Sequence, residues 1–185
     1  TPDYSSAASD VYKRQDVPYA YYLVGLSYYD QVLAIGRDQE LAKEALKVFA
    51  LIADEYPQSE YAANSQIRFN FLRDHLASKE MEVGRYYLKR SHYVPAINRF
   101  RGVIEEFSTT SQVPEALHRL VEAYLSLGFT DEAQTAGAIL GHNYKSTDWY
   151  DRTYQLLMSK GLKPKASGNS WLSKIYRQVI KGQWL

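Results

Sequence analysis

The stretch from residue 61 to 91 constrains this chain most, because its apolar positions hold a single phase for roughly seven turns. Stepping 100° per residue from Ile67, the positions Ala62, Ser65, Phe69, Leu72, Leu76, Val83 and Tyr87 fall between about 140° and 220°. No proline interrupts them, and the first glycine is Gly84. The pattern predicts one continuous helix over residues 61–90, roughly 45 Å long at 1.5 Å per residue. A sparser apolar set, Ile67, Phe71, Met81 and Leu88, lies on the other side. A helix apolar on two faces is expected to sit between neighbours, so this one reads as a spine.

Shorter helices are expected on both sides of it. Residues 1–15 (TPDYSSAASDVYKRQ) carry no periodicity and read as a disordered leader or a non-native scar. Pro18 is placed to open a helix, with Tyr21, Val24, Gly25 and Tyr28 at the offsets of a close-packed pair. Gly36 marks a loop, Asp38 caps a helix carrying Ala45, Phe49 and Ile52 inward, and Pro57 ends it. Ser59 is the expected cap of the spine. A tight turn at Ser91 to Pro95 returns the chain into a helix from Ala96 to Phe107. Pro114 starts another, with Leu117, Leu120, Val121 and Tyr124 inward and Gly128 as its stop. Thr130 and Thr147 cap two more, and Gly161 closes the second. Residues 163–169 read as a linker, and residues 170–180 as a short amphipathic helix carrying Trp171, Leu172, Ile175, Tyr176 and Val179. The domain division expected is therefore 1–15, 16–162 and 163–185.

Internal repetition narrows the fold. Tyr87 and Tyr124 stand 37 positions apart, as do Ala96 and Ala133, and the pair Ala45/Phe49 recurs as Ala96/Phe100 after 51 positions. These offsets match the tetratricopeptide pattern of a helix hairpin that cannot bury its face alone and so stacks on its neighbours. The fold class expected is all-α, a tetratricopeptide-like α-solenoid of stacked helix hairpins with one long spine helix. Seventeen tyrosines against two methionines fit that reading, since large aromatics fill gaps between stacked helices.

Several chemistries have no residues to carry them. The chain has no cysteine, which removes disulfides, thiolate catalysis and Cys-based zinc sites. His75, His92, His118 and His142 show no metal-ligand spacing. No phosphate-binding glycine loop or nucleophile elbow occurs, and Glu105 and Glu106 point about 100° apart on a helix. A net charge of +1 gives no bulk attraction to nucleic acid or an anionic membrane. No enzyme activity, cofactor or metal is expected.

The strings AYYLVGLSYY (20–29), GRDQ (36–39), EYPQSEYA (55–62), FLRDHLA (71–77), EVGRYY (82–87), AINR (96–99), GHNY (141–144) and Trp149-Tyr150 together resemble the BamD/ComL family. Lys145 stands where that family usually has proline. The resemblance covers residues 17–162. It implies a tetratricopeptide lipoprotein of the machinery that inserts β-barrels into the bacterial outer membrane, at its periplasmic face. The family's signal peptide, lipid-carrying cysteine and first repeats precede the matched stretch and are not in this sequence. The implied partners are the periplasmic POTRA domain of the barrel-forming subunit, accessory lipoproteins and unfolded outer-membrane proteins. Membrane association would come only through the lipid anchor.

The basic residues around the spine's end have two readings. Arg85 and Lys89 lie opposite the apolar stripe, followed by Arg90, His92, Arg99 and Arg101. They form either a solvated face or a docking surface whose arginine forks grip carboxylates. The resemblance places Asn98 and Arg99 at a family Asn-Arg pair near the POTRA contact. Trp149 and Tyr150 are either packing aromatics or further contacts. The function expected is a non-catalytic scaffold. The alternative is a tetratricopeptide co-chaperone or peptide-binding module, and a third class is an enzyme-associated or cell-wall-processing repeat domain.

Overall fold

A computed structural model describes residues 4–32, 34–35, 37–168, 170–175 and 177. Its helices are α1 (Tyr4–Tyr29), α2 (Glu40–Glu55), α3 (Ala62–Lys89), α4 (Tyr93–Glu106), α5 (Val113–Ser126), α6 (Thr130–Asn143), α7 (Asp148–Ser159) and α8 (Trp171–Ile175). No strand occurs among the described residues, so the chain is all-α. The spine is present as the 28 residues of α3. Two compact units divide the chain, Thr1–Leu76 and Ala77–Leu185, and the division falls within α3.

In the first unit α1 packs on α2. Ala42, Ala45, Phe49 and Ile52 recur at helical spacing on α2 and are buried, which is the stripe a core-facing helix needs. Phe49 lies over Gly25, where an added Cβ would come within 2.8 Å of the ring. Tyr22 and Tyr29 meet the same ring edge-on at 6.1 and 6.2 Å. The inward face of α1 is thus Pro18, Tyr22, Gly25 and Tyr29, whereas Tyr21 and Val24 are exposed. The expected set had the glycine right but the stripe one position out of phase, because tyrosines occupy both faces. Arg68 on α3 stacks over Tyr29 at 4.9 Å and donates to the Tyr22 hydroxyl at 3.5 Å.

Several boundaries differ from expectation. α1 begins at Tyr4, so residues 4–15 are helical and Pro18 lies inside the helix rather than at its start. That stretch has helix-favouring Ala but no apolar stripe, so helical periodicity does not mark it. On the spine, Ile67 and Phe71 are 66% and 53% exposed, so the second apolar face is buried only further along, at Ala77, Met81 and Gly84. Ser59 does not cap α3, since a turn intervenes and its buried hydroxyl has no hydrogen-bond partner among the described residues. Gln39 takes the N-cap position of α2, while Asp38 still accepts the Glu40 N–H at 3.3 Å.

In the second unit α4, α5, α6 and α7 pack each on the next, and α8 packs on α6. Phe100 of α4 is fully buried over Gly84 of α3, repeating the Gly25–Phe49 contact. It belongs to one buried cluster with Val103, Ile104, Leu117, Leu120, Val121, Leu140 and Leu157. Three helices end in the same left-handed turn. The N–H of His92, Phe129 and Leu162 reaches back to the carbonyl of Tyr87, Tyr124 and Leu157 at 3.0, 2.9 and 3.0 Å. The residue before each has positive φ: Ser91 (60°), Gly128 (81°) and Gly161 (71°). Glycine suits such a position, and Ser91 occupies it without that freedom. Phe129 both completes the turn after α5 and serves as N-cap of α6, which leaves Thr130 as the first helical residue instead of the cap. Thr147 is the N-cap residue of α7, but its hydroxyl donates back to the Tyr144 carbonyl at 2.7 Å.

The C-terminal stretch lies along α6. Gln134 donates to the Lys163 carbonyl at 2.8 Å, Lys165 N–H to the Gln134 carbonyl at 3.2 Å, and Ser167 N–H to Thr135 at 3.1 Å. Leu172 is buried and Trp171 lies 3.8 Å from the Arg101 guanidinium. The expected Tyr176 and Val179 lie outside the described residues.

Burial of Tyr124 gives a measurable consequence. Removal from water pushes its phenol up to about 12, with Glu132 acting in the same sense and Arg101 against it. The folded state favours the neutral phenol, so its contribution is complete below the ordinary value near 10 and is lost as pH rises toward 12. A shift of that size corresponds to on the order of 2–3 kcal/mol. Denaturant unfolding at pH 9 and pH 12 should therefore show a steeper loss for wild type than for Tyr124→Phe. Equal losses would mean that Tyr124 ionises freely in the folded state.

Candidate docking surfaces

The basic residues singled out in the sequence do not form one patch. In the second unit they separate into two open grooves built on α3 and α4. Asn98 and Arg99, a turn past the start of α4, line the first with Glu80, Tyr87, Val94, Pro95, Gly102 and Glu106, enclosing about 430 Å³. Arg85 and Lys89, in the last turns of α3, line the second with Leu88, Tyr93, Arg119, Glu122 and Ser126, enclosing about 440 Å³.

In the first groove Arg99 is committed within the chain. Its Nη1 donates to both carboxylate oxygens of Glu80, at 3.0 and 3.4 Å, tying α4 to α3. Both side chains remain substantially accessible, at 46% and 31%. Beside them Val94 is 59% exposed, a large apolar residue at the mouth of the groove. Asn98 is exposed. An arginine–carboxylate pair next to an uncovered apolar residue brings a charged group and apolar area together at one surface.

The second groove is walled by an ion-pair chain. Arg85 donates to Glu115 at 3.0 Å, and Arg119 donates to Glu115 at 3.2 Å and to Glu122 at 2.8 Å. Beyond Glu122, His118 bonds Thr153 of α7 through Nδ1 at 2.7 Å, and its Nε2 lies 3.6 Å from Glu122. Burial alone would push Glu122 up, but His118 and Arg119 outweigh it and hold the carboxyl below its ordinary value. Burial likewise opposes the Arg119 charge, and Glu122 and Glu115 more than offset it. Both groups stay charged. Lys89 is exposed and has no carboxylate partner among the described residues. The neighbouring Ser91 and Ser126 hydroxyls hold the Tyr93 phenol below its ordinary range.

The remaining candidates are placed elsewhere. Arg90 is exposed, with its guanidinium 4.3 Å from the Tyr86 ring. His92 is exposed and meets Tyr87 edge-on. Arg101 lies under Trp171. Trp149 is half-buried against His118 at 5.3 Å, with Arg119 and Arg152 over its faces at 5.5 and 5.1 Å. Tyr150 packs on Gly141. What sequence reasoning missed was Glu80, Glu115 and Glu122, the partners that decide which cations are already engaged. Glu80 and Arg99 are 19 positions apart, with no periodic signal linking them. Among the described residues no group of three or more His, Asp and Glu could hold a metal ion.

A family model described as YfiO, outer membrane lipoprotein, matches residues 11–139. The outer membrane protein assembly factor BamD of Caulobacter vibrioides is 44% identical over 146 residues, which are 79% of this chain and 48% of that protein. Its Rickettsia prowazekii counterpart is 42% identical over 142 residues, covering 77% and 57%. That of Neisseria meningitidis serogroup A is 31% identical over 150 residues, covering 76% and 56%. The chain spans about half the length of the curated relatives it matches.

Proposed function

This chain belongs to the YfiO family of outer membrane lipoproteins, and from that membership we propose that it is a non-catalytic scaffold in outer-membrane protein assembly. It acts at the periplasmic face of the outer membrane, held there by a lipid anchor. It docks the POTRA domain of the barrel-forming subunit through the groove at Arg99, and holds accessory lipoproteins alongside. The mechanism is positional: a preformed surface lowers the ordering cost of bringing partners together. The observation that carries this reading is the half-exposed Arg99–Glu80 pair beside uncovered Val94.

A charge swap tests it. The double variant Glu80→Arg with Arg99→Glu keeps an internal ion pair, so melting and helicity should match wild type, while the charges offered to a partner are exchanged. Binding to the isolated periplasmic domain should weaken by about tenfold or more, roughly 1.4 kcal/mol. Single Arg99→Glu should weaken binding as well and destabilise the fold slightly, because two carboxylates then face each other. Wild-type affinity for the swapped protein in a calorimetric titration would remove Arg99 from the interface.

A further inference from the structure

We propose that the groove between α3 and α5, floored by Leu88 and Tyr93, binds an acidic side chain of an extended polypeptide segment, with Lys89 as the cation that engages it. This site is separate from the Arg99 groove and does not depend on the docking reading given above.

The charge inventory of the groove selects the ligand. Arg85, Lys89 and Arg119 bring three cations, and Glu115 and Glu122 engage two of them. One positive charge, on Lys89, is left for a carboxylate. The other ion pairs are internal and fixed, so they shape the wall without competing for the ligand. Arg119 and Glu122 are held charged by each other despite partial burial, and Arg85 is anchored at 3.0 Å from Glu115. A carboxylate arriving at Lys89 therefore meets a groove wall already fixed by ion pairs, so only Lys89 has to be ordered on binding.

Size and polarity argue for an extended segment. An open groove of about 440 Å³ takes a few side chains, and its apolar floor beside a single cation suits one short stretch of chain. Leu88 and Tyr93 are half-buried on its floor, offering an apolar contact next to the cation. An acidic residue flanked by an apolar one fits both features. The Ser126 hydroxyl, with Tyr93, adds polar groups at the α5 side.

The test uses the whole 185-residue chain and a blocked decapeptide, acetylated and amidated, with Glu-Leu-Glu at the centre of Gly/Ser flanks. Two controls carry Gln-Leu-Gln, one fully blocked and one with a free C-terminal carboxylate. Backbone NMR shifts upon titration should map to Lys89, Leu88 and Tyr93. The Glu peptide should bind at least tenfold more tightly than either control and weaken as salt rises. Lys89→Gln should weaken it several-fold, and Lys89→Glu about tenfold or more. Both variants alter an exposed, unpaired residue and should melt as wild type. Equal binding of the blocked Gln peptide would mean a purely apolar contact and would overturn the proposal. Tighter binding of the free-carboxylate control would make the groove a chain-end receptor, which overturns it too. Shifts mapping to Asn98 and Arg99 instead would also refute it. Arg99→Glu should leave peptide binding unchanged while weakening the folded domain, so the two sites fail independently.

Discussion

Lys79→Pro is expected to lower the thermal midpoint by roughly 6–12 °C and to reduce helicity. Lys79 lies inside α3, with no break in the helix from Ala62–Lys89. Proline there removes a backbone hydrogen bond and drives its ring into the preceding turn, costing about 3 kcal/mol or more. For a chain of this length each kcal/mol moves the midpoint by about 2–4 °C. Leu76→Pro should be worse, because Leu76 is buried and truncating a buried leucine adds about 2–5 kcal/mol. The sum approaches the whole stability of a typical domain, about 5–15 kcal/mol, so an insoluble or unfolded product is expected. Lys79→Ala controls for the 3.8 Å pair with Glu82 and should shift the midpoint little. Circular dichroism melting decides the matter, and wild-type behaviour of Lys79→Pro would show that a turn can form at that position.

The second large effect concerns the ring over Gly84. Phe100→Ala should cost about 3–5 kcal/mol in denaturant unfolding, since the ring is fully buried and leaves a cavity. Gly84→Ala should also destabilise, despite the helix propensity that alanine gains. The new Cβ would lie 2.4 Å from Cε1 and 2.9 Å from two further ring atoms of Phe100. Overpacking costs about 1–3 kcal/mol against a propensity gain of about 0.5–1 kcal/mol. Gly102→Ala on α4 should have the opposite sign, because nothing lies within 4 Å of the added carbon. Combining Gly84→Ala with Phe100→Leu should recover part of the loss. Additive losses in that double variant would mean that the two residues do not share a contact.

Periodicity made most of this architecture readable. The spine emerged to within a residue or two because apolar side chains at fixed phase have no other use in a long polar helix. Gly25 and Phe49 were legible as packing residues, and Ala96 and Phe100 as their repeat. The phase of α1 was not, since tyrosine at positions 19, 21, 22, 28 and 29 serves core and surface alike. Ile67 and Phe71 fitted a helical phase as well as Met81 does, yet only Met81 is buried, and exposure depends on neighbours that a local pattern does not encode. The candidate site was half legible. Cations could be named from the sequence, but their division between two grooves depends on carboxylates contributed by other turns and helices. Glu80 engages Arg99, and Glu115 engages Arg85 from 30 positions away.

The turn at Ser91 carries a balance between two ensembles. A side-chain-bearing residue held at positive φ stores on the order of 1–3 kcal/mol of backbone strain in the folded protein. Glycine would relieve that strain but would widen the unfolded chain's freedom, a loss on folding of about 0.5–1 kcal/mol. Serine thus strains the native state while restricting the denatured one. The junction between α3 and α4 is therefore closed at a cost carried by the native state, whereas Gly128 and Gly161 make the same bend without that strain and leave the cost with the unfolded chain.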